Sequence, residues 1–157
     1  MRDDVQPLVE RSYRSNGYAA VIGESLAGLF IVETYAGEPA LFDAYAAIDP
    51  SLWWDGEALS RASAPTLGAR TNAPPIYLAV ASEQAQAPAA MQRIAQAIHA
   101  SGARLCLASR PDLLHSTIYQ QLLPQALQFL LPPREQPPAE YGFRVHCDAL
   151  AAPPVSP

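Results

Sequence analysis

The hydrophobic residues of this chain alternate between short continuous apolar runs and longer stretches with helical spacing. Four runs have strand length and are apolar except for Arg104 at the start of the last, which is typical of strands buried on both faces of a parallel sheet. These predicted strands cover residues 18–22, 44–48, 76–81 and 104–108. The predicted helices cover residues 4–15, 26–36, 88–101 and 116–131. This order predicts an α/β fold, a parallel sheet with flanking helices.

Two parts of the chain fit this alternation poorly. Residues 51–73 show weak periodicity and predict a loop with one helical piece near 56–64. We expect Pro124 to interrupt or kink the last helix. Residues 132–157 contain seven of the sixteen prolines and predict an extended, partly disordered tail. The sequence therefore predicts one α/β domain over residues 1–131, followed by a Pro-rich tail.

Composition excludes several classes of protein. Half of the residues are hydrophobic and 16% are charged, which favours a compact fold over a disordered chain. The net charge is -5 and the arginines are scattered, so we expect no nucleic-acid or membrane partner. No apolar stretch reaches the ~20 residues of a membrane span, and the N-terminus has no signal-peptide pattern. A soluble protein is expected, with its compartment left open.

The two cysteines suggest neither a disulfide framework nor a zinc site. Their spacing matches no CxxC or Cys/His pattern. Cys106 lies in an apolar run and is expected to be a small core residue. We therefore expect no metal in this protein.

The segment Gly23-Glu24-Ser25-Leu26-Ala27-Gly28 follows the first predicted strand and precedes a predicted helix. An apolar strand that leads through Gly-x-Ser-x into a helix is typical of a nucleophile elbow, in which the serine projects from the sheet edge. Ser25 is then a candidate nucleophile, and the backbone N–H of Leu26 a candidate oxyanion donor. Ala27 stands where glycine is usual, but it is small. The alternative is an ordinary strand–turn–helix with an incidental serine.

A serine hydrolase of this fold also needs an acid and then a histidine, in that order along the chain. Glu83 follows the third predicted strand and His115 follows the fourth, so both are expected at the same sheet edge as Ser25. His115 is the candidate base and Glu83 the candidate orienting acid. Asp49, after the second strand, is the rival acid, and Asp112 is a weak third because it is close to His115 in sequence.

Three segments carry a resemblance to a known family: GESLAGLFIVET (23–34), FDAYAAIDPSLWWD (42–55) and LLHSTIY around His115. They resemble the esterase family of α/β-hydrolases that includes trilactone siderophore esterases and feruloyl esterases, over residues 8–131. The resemblance implies Ser25 as nucleophile, His115 as base and, less securely, Glu83 as acid. It also places Trp53 and Trp54 near the mouth of the active site. The alternative is that these two rings are core or a covered apolar patch.

The same resemblance implies a small-molecule ester substrate and no cofactor, and it exposes a gap. Family members carry a further N-terminal portion with the first strands and a second oxyanion donor, whereas this chain begins just before the elbow strand. We therefore expect a truncated esterase, the C-terminal half of the fold, with its first strand exposed at the sheet edge. A second hypothesis is a non-catalytic remnant that self-associates as a homo-oligomer, or pairs with another chain, through that edge.

Overall fold

Four parallel strands form one sheet in a computed structural model that describes residues 1–82, 88–133, 135, 138, 140 and 144–150. The strands are β1 (Ala20–Glu24), β2 (Ala44–Ile48), β3 (Ile76–Ala81) and β4 (Leu105–Arg110). They lie in the order β1-β2-β3-β4, each parallel to the next. The helices are α1 (Val5–Ser12), α2 (Ser25–Gly37), α3 (Trp54–Gly68), α4 (Pro88–Ala100) and α5 (His115–Leu130), with a short 3₁₀ turn at Pro39–Leu41. The predicted α/β sheet with flanking helices is confirmed.

Apolar side chains cover both faces of the sheet, which explains the continuous apolar runs. In β2 the side chains alternate between faces, and all five residues are buried. Tyr45 and Ala47 belong to the core that α2, α3 and α4 form on one face. Ala46 and Ile48 belong to the core against α5 on the other face. A strand covered on both sides has no position at which water would stabilise a polar side chain.

The predicted element bounds differ from the structure mainly at β1, β4 and α3. β1 lies two residues later than predicted and ends at Glu24, directly before Ser25, while β4 continues two residues further than predicted. The prediction of a loop with a short helix over residues 51–73 is wrong in extent, because α3 is longer. α5 runs through Pro124 without interruption. No helix in the described part of the chain is both long enough and apolar enough to span a membrane.

Charged and polar side chains attach α3 to α4. The weak apolar periodicity of residues 51–73 gave no indication of this contact. The guanidinium of Arg93 on α4 donates to the carboxylate of Glu57 and, at 3.0 Å, to the hydroxyl of Ser60. Residues 55–57 have positive φ angles, so the chain changes direction before the regular part of α3 begins. The helix therefore depends on contacts distant in sequence.

The side of the sheet beyond β1 is open within the described residues. β1 pairs with β2 along one edge, and no described strand pairs with its other edge. α1 buries none of its side chains, and Val5, Leu8, Val9 and Tyr13, the apolar face predicted from the sequence, are exposed. The exposed first strand expected from the sequence is present in the structure.

A disulfide joins Cys106 in β4 to Cys147, which corrects the expectation that the two cysteines make no disulfide framework. The pair is 41 residues apart, and their Cα atoms are 5.0 Å apart. Cys106 is buried, as predicted. The sequence could not reveal this pair, because it depends on the C-terminal segment returning to the sheet.

Residues 144–150 lie against β4. The backbone N–H of Asp148 donates to the Leu107 carbonyl at 2.6 Å, and its carboxylate accepts from the Ser109 N–H at 2.7 Å. Val145 and Leu150 pack against the two cores. This part of the predicted tail is therefore attached to the domain. The division after residue 131 stays a prediction, because much of 132–157 is outside the described residues.

Candidate active site

The turn from β1 into α2 has the geometry of a nucleophile elbow. Ser25 is the first residue of α2 and has a φ of 58°, a left-handed conformation that is costly for any residue with a side chain. Gly23 lies so close to α2 that an added Cβ would be 2.9 Å from Ala27 Cβ and 3.0 Å from Ile31 Cδ1. With glycine at position 23, alanine fits at position 27. The departure from the usual Gly-x-Ser-x-Gly pattern therefore leaves the turn intact.

Gly28 allows the first turn of α2 to contact the segment that follows β2. A Cβ at this position would be 3.0 Å from Pro50 Cα and 3.3 Å from the Ile48 carbonyl oxygen. Backbone atoms cannot move aside as a flexible side chain can. The glycine therefore fixes the distance between the elbow and residues 49–51.

Asp49 contacts His115 across the end of the sheet. Asp49 is 1% exposed, and its Oδ2 lies 2.6 Å from His115 Nδ1. Its Oδ1 accepts the backbone N–H of Ala81 at 2.9 Å, and its own N–H donates to the Ala79 carbonyl at 2.8 Å. His115 is the first residue of α5 and is 42% exposed. A proton on Nδ1 is therefore donated to a fixed carboxylate, which orients Nε2 for proton transfer.

Ser25 is connected to the same loop through Ser51. The two hydroxyl oxygens are 3.2 Å apart, and the backbone N–H of Ser51 donates to the Ser25 carbonyl at 3.0 Å. Within the described residues, no hydrogen bond joins Ser25 directly to His115. Catalytic hydrogen bonds are often long in a free enzyme and shorten when substrate binds. The loop of residues 49–51 thus contacts the candidate base at one end and the candidate nucleophile at the other.

The three carboxylates proposed as the acid have different positions. Glu83, the first choice, lies outside the described residues, so its role stays a prediction. Asp49, the rival, contacts His115. Asp112 instead receives two hydrogen bonds from Arg110, at 2.7 and 2.8 Å, and these lower the pKa of its carboxyl. Sequence order alone did not separate Asp49 from Glu83, because both follow strands that end at the same edge.

Trp53 and Trp54 follow Ser51 and Leu52 in the sequence, and both rings are exposed to solvent. They are 42% and 54% exposed, their ring centroids are 5.8 Å apart, and the preceding Leu52 is buried. The alternative that both rings are core is wrong in the described structure. An exposed aromatic pair that follows the loop contacting Ser25 is an apolar surface that a substrate can contact.

The sequence neighbours of Ser25 add two polar groups to the site, the backbone N–H of Leu26 and the carboxyl group of Glu24. The N–H of Leu26 is one of the first in α2, where helical N–H groups lack partners within the helix. Burial raises the pKa of the Glu24 carboxyl, while nearby His115 lowers it and Asp49 raises it. The sequence prediction missed Glu24 and Ser51 as parts of this site. The only sequence signal for them is their position: Glu24 directly precedes Ser25, and Ser51 comes two residues after Asp49.

The donor atoms at this site fit acid–base chemistry. Across the described ranges, no group of three or more His, Cys, Asp and Glu side chains is placed to bind a metal ion. A serine at an elbow and a histidine fixed by a buried carboxylate can form and hydrolyse a covalent acyl intermediate.

No protein-family model matches the chain, and no curated protein matches it. Solved structures do match. The chain is similar to the siderophore hydrolase EstA from Aspergillus nidulans, with 25% identity and a TM-score of 0.64, over 82% of this chain and 53% of that one. It is also similar to an IroE-like serine hydrolase from Shewanella oneidensis, with 21% identity and a TM-score of 0.68, over 78% of this chain and 42% of that one.

A third similar structure is the BES protein from Bacillus cereus, with 17% identity and a TM-score of 0.66. The match covers 81% of this chain and 50% of that chain. The chain thus spans about half the length of the structures that it matches. The resemblance drawn from the sequence is confirmed at the level of the fold: this chain has part of the fold of the esterase-like α/β-hydrolases.

Proposed function

We propose that this chain contains the catalytic residues of a serine esterase, with Ser25 as nucleophile, His115 as base and Asp49 as the acid that orients it. The observation that carries the proposal is the 2.6 Å contact between the buried Asp49 carboxylate and His115, at the sheet edge where the elbow ends. The left-handed φ of Ser25 supports it, because such strain is typical of this kind of nucleophile.

The reaction proceeds through an acyl-enzyme. Ser25 Oγ attacks the ester carbonyl carbon while His115 Nε2 takes its proton, and the carbonyl electrons move to the oxygen, which the Leu26 N–H stabilises. His115 then gives the proton to the leaving alcohol as the ester bond breaks. Water, deprotonated by His115, then attacks the acyl carbon; as the bond to Ser25 Oγ breaks, His115 returns the proton to Ser25 and the acid leaves. Asp49 stabilises the charged imidazolium in both halves of the reaction.

The proposed substrate is a carboxylic ester with an apolar or aromatic part that contacts Trp53 and Trp54. The exposed indole rings support this choice, because flat apolar groups stack on them favourably. The similar structures from Aspergillus nidulans and Shewanella oneidensis are described as a siderophore hydrolase and a serine hydrolase, which agrees with an ester substrate.

Hydrolysis of an aryl ester such as p-nitrophenyl acetate tests the proposal. We expect Ser25→Ala and His115→Ala to abolish turnover and Asp49→Asn to lower kcat by up to about 10⁴-fold, and Glu83→Gln tests the other candidate acid in the same assay. If Glu83→Gln is the damaging change and Asp49→Asn is not, the acid is Glu83. Full activity in Ser25→Ala would refute the esterase proposal.

A second candidate function is a partner-dependent half-domain that self-associates through β1. The open edge of β1 and the unburied apolar face of α1 favour it. Two copies of β1 could pair antiparallel, because identical edges related by a two-fold axis complement each other. Sedimentation should then show a dimer that Ala20→Lys, at the exposed first position of β1, converts to monomer. A stable monomer with esterase activity would contradict this candidate.

A further inference from the structure

We infer that Ser51 is a positioning residue for the nucleophile, and that its hydroxyl donates a hydrogen bond to Ser25 Oγ. This inference rests on the proposed esterase function. Ser51 is 3% exposed, and its oxygen lies 3.2 Å from Ser25 Oγ. A second contact, from the Ser51 N–H to the Ser25 carbonyl, joins the same two residues through their backbones. Ser51 therefore contacts both the reacting atom and the strained turn that carries it.

The direction of the hydroxyl hydrogen bond decides what Ser51 does. Each serine hydroxyl has one proton and two acceptor positions. If Ser51 donates, the Ser25 proton remains available to His115, and Ser25 Oγ receives a partner that strengthens as negative charge develops on it. Hydrogen bonds to charged groups are stronger than those to neutral ones, so the contact stabilises the attacking oxygen more than the resting hydroxyl.

Ser51 keeps its own proton throughout the reaction. The Ser25 proton moves to His115 and then to the leaving alcohol, as in the proposed mechanism, and Ser51 neither gains nor loses an atom. When Ser25 is acylated, its Oγ becomes an ester oxygen and a weaker acceptor. The hydrogen bond from Ser51 is therefore weakest in the acyl-enzyme. It is strongest in the two steps that form and hydrolyse the acyl-enzyme.

The neighbours of Ser51 keep its position fixed. Pro50 precedes it and packs on Gly28, where there is no room for a Cβ, so the loop cannot move towards α2. Asp49, two residues before Ser51, is fixed by its contacts with Ala81 and His115. A change at Ser51 that disturbed the whole loop would therefore also disturb His115. This gives a way to separate a specific effect on Ser25 from a structural one.

The test measures the rate at which a fluorophosphonate labels Ser25, as a function of pH, in wild type, Ser51→Ala and Ser51→Thr. We expect Ser51→Ala to label about 10- to 100-fold more slowly, the size of one lost hydrogen bond to a charged group. Its pH midpoint should equal that of wild type, because the change leaves the contact between Asp49 and His115 intact. Ser51→Thr, which retains a hydroxyl, should recover most of the rate.

Ser63→Ala is the matched control, because it removes another buried serine hydroxyl, one that donates to the Leu59 carbonyl within α3. It should label like wild type. A wild-type rate in Ser51→Ala would overturn this inference and leave the esterase proposal intact. A slow rate accompanied by a shifted pH midpoint would also overturn it, since Ser51 would then act on the loop. A folded wild type that never labels would overturn both.

Discussion

Removal of the Cys106–Cys147 disulfide should destabilise the domain by about 4 kcal/mol. The bond closes a loop of 41 residues, and a covalent link of that length lowers the chain entropy of the unfolded state by an amount worth about 4 kcal/mol at 25 °C. A domain of this size is stable by only ~5–15 kcal/mol, so the loss is large. We choose Cys147→Ser, because Cys147 is exposed whereas Cys106 is buried.

Urea unfolding monitored by tryptophan fluorescence measures this loss. Cys147→Ser should unfold at clearly lower urea, with a fall in melting temperature of roughly 10 °C. Wild type in a reducing agent should move to nearly the same midpoint, while reductant should leave Cys147→Ser unchanged. Equal stability of wild type and variant, with no response of wild type to reductant, would refute the idea that this bond attaches residues 144–150 to β4.

Four further predictions concern Tyr77, which carries two of them, Gly28 and Trp54. Tyr77 has a buried hydroxyl without a hydrogen-bond partner in the described part of the chain. Tyr77→Phe should therefore raise the free energy of unfolding, measured with urea, by about 1 kcal/mol, and a lower free energy of unfolding would contradict this. Burial raises the pKa of Tyr77 to about 12, so wild type should lose stability as pH rises from 10 to 12, because only the unfolded chain releases this proton there; Tyr77→Phe should lose less in the same titration. Gly28→Ala should lower the free energy of unfolding by about 1–3 kcal/mol, measured by thermal unfolding, and slow ester hydrolysis. Gly37→Ala is the control, because an added Cβ meets nothing there, and it should change neither. Equal effects of the two changes would show that the contact of Gly28 with Pro50 is unimportant. Trp54→Ala should raise KM more than it lowers kcat in steady-state ester hydrolysis, and the reverse pattern would contradict a binding role.

The strands and the elbow were predictable from the sequence because local composition determines them. Residues 44–48 and 76–81 are apolar at every position, and strands covered on both faces require that. The elbow was recognisable because Gly23 and Ser25 follow such a strand at fixed spacing. Ala27 required the structure to explain it, since its fit depends on the empty space beside Gly23.

The acid, the disulfide and the length of α3 depend on contacts between distant residues. Asp49 and Glu83 follow neighbouring strands, and the contact of Asp49 with His115 appears only when the sheet is assembled. Cys147 meets Cys106 because its segment returns along β4. Besides its buried apolar residues, α3 is attached to α4 through the polar contact of Ser60 with Arg93. None of these pairings leaves a periodic signal in the sequence.

The most direct test of the esterase account is the site at which an active-site-directed fluorophosphonate attaches. Peptide mapping by mass spectrometry after labelling should find one adduct, on Ser25, in wild type, and none in His115→Ala at the same folded concentration. Circular dichroism of both proteins verifies that they are folded. A folded wild type that acquires no adduct, or one that is labelled equally with and without His115, would contradict the account.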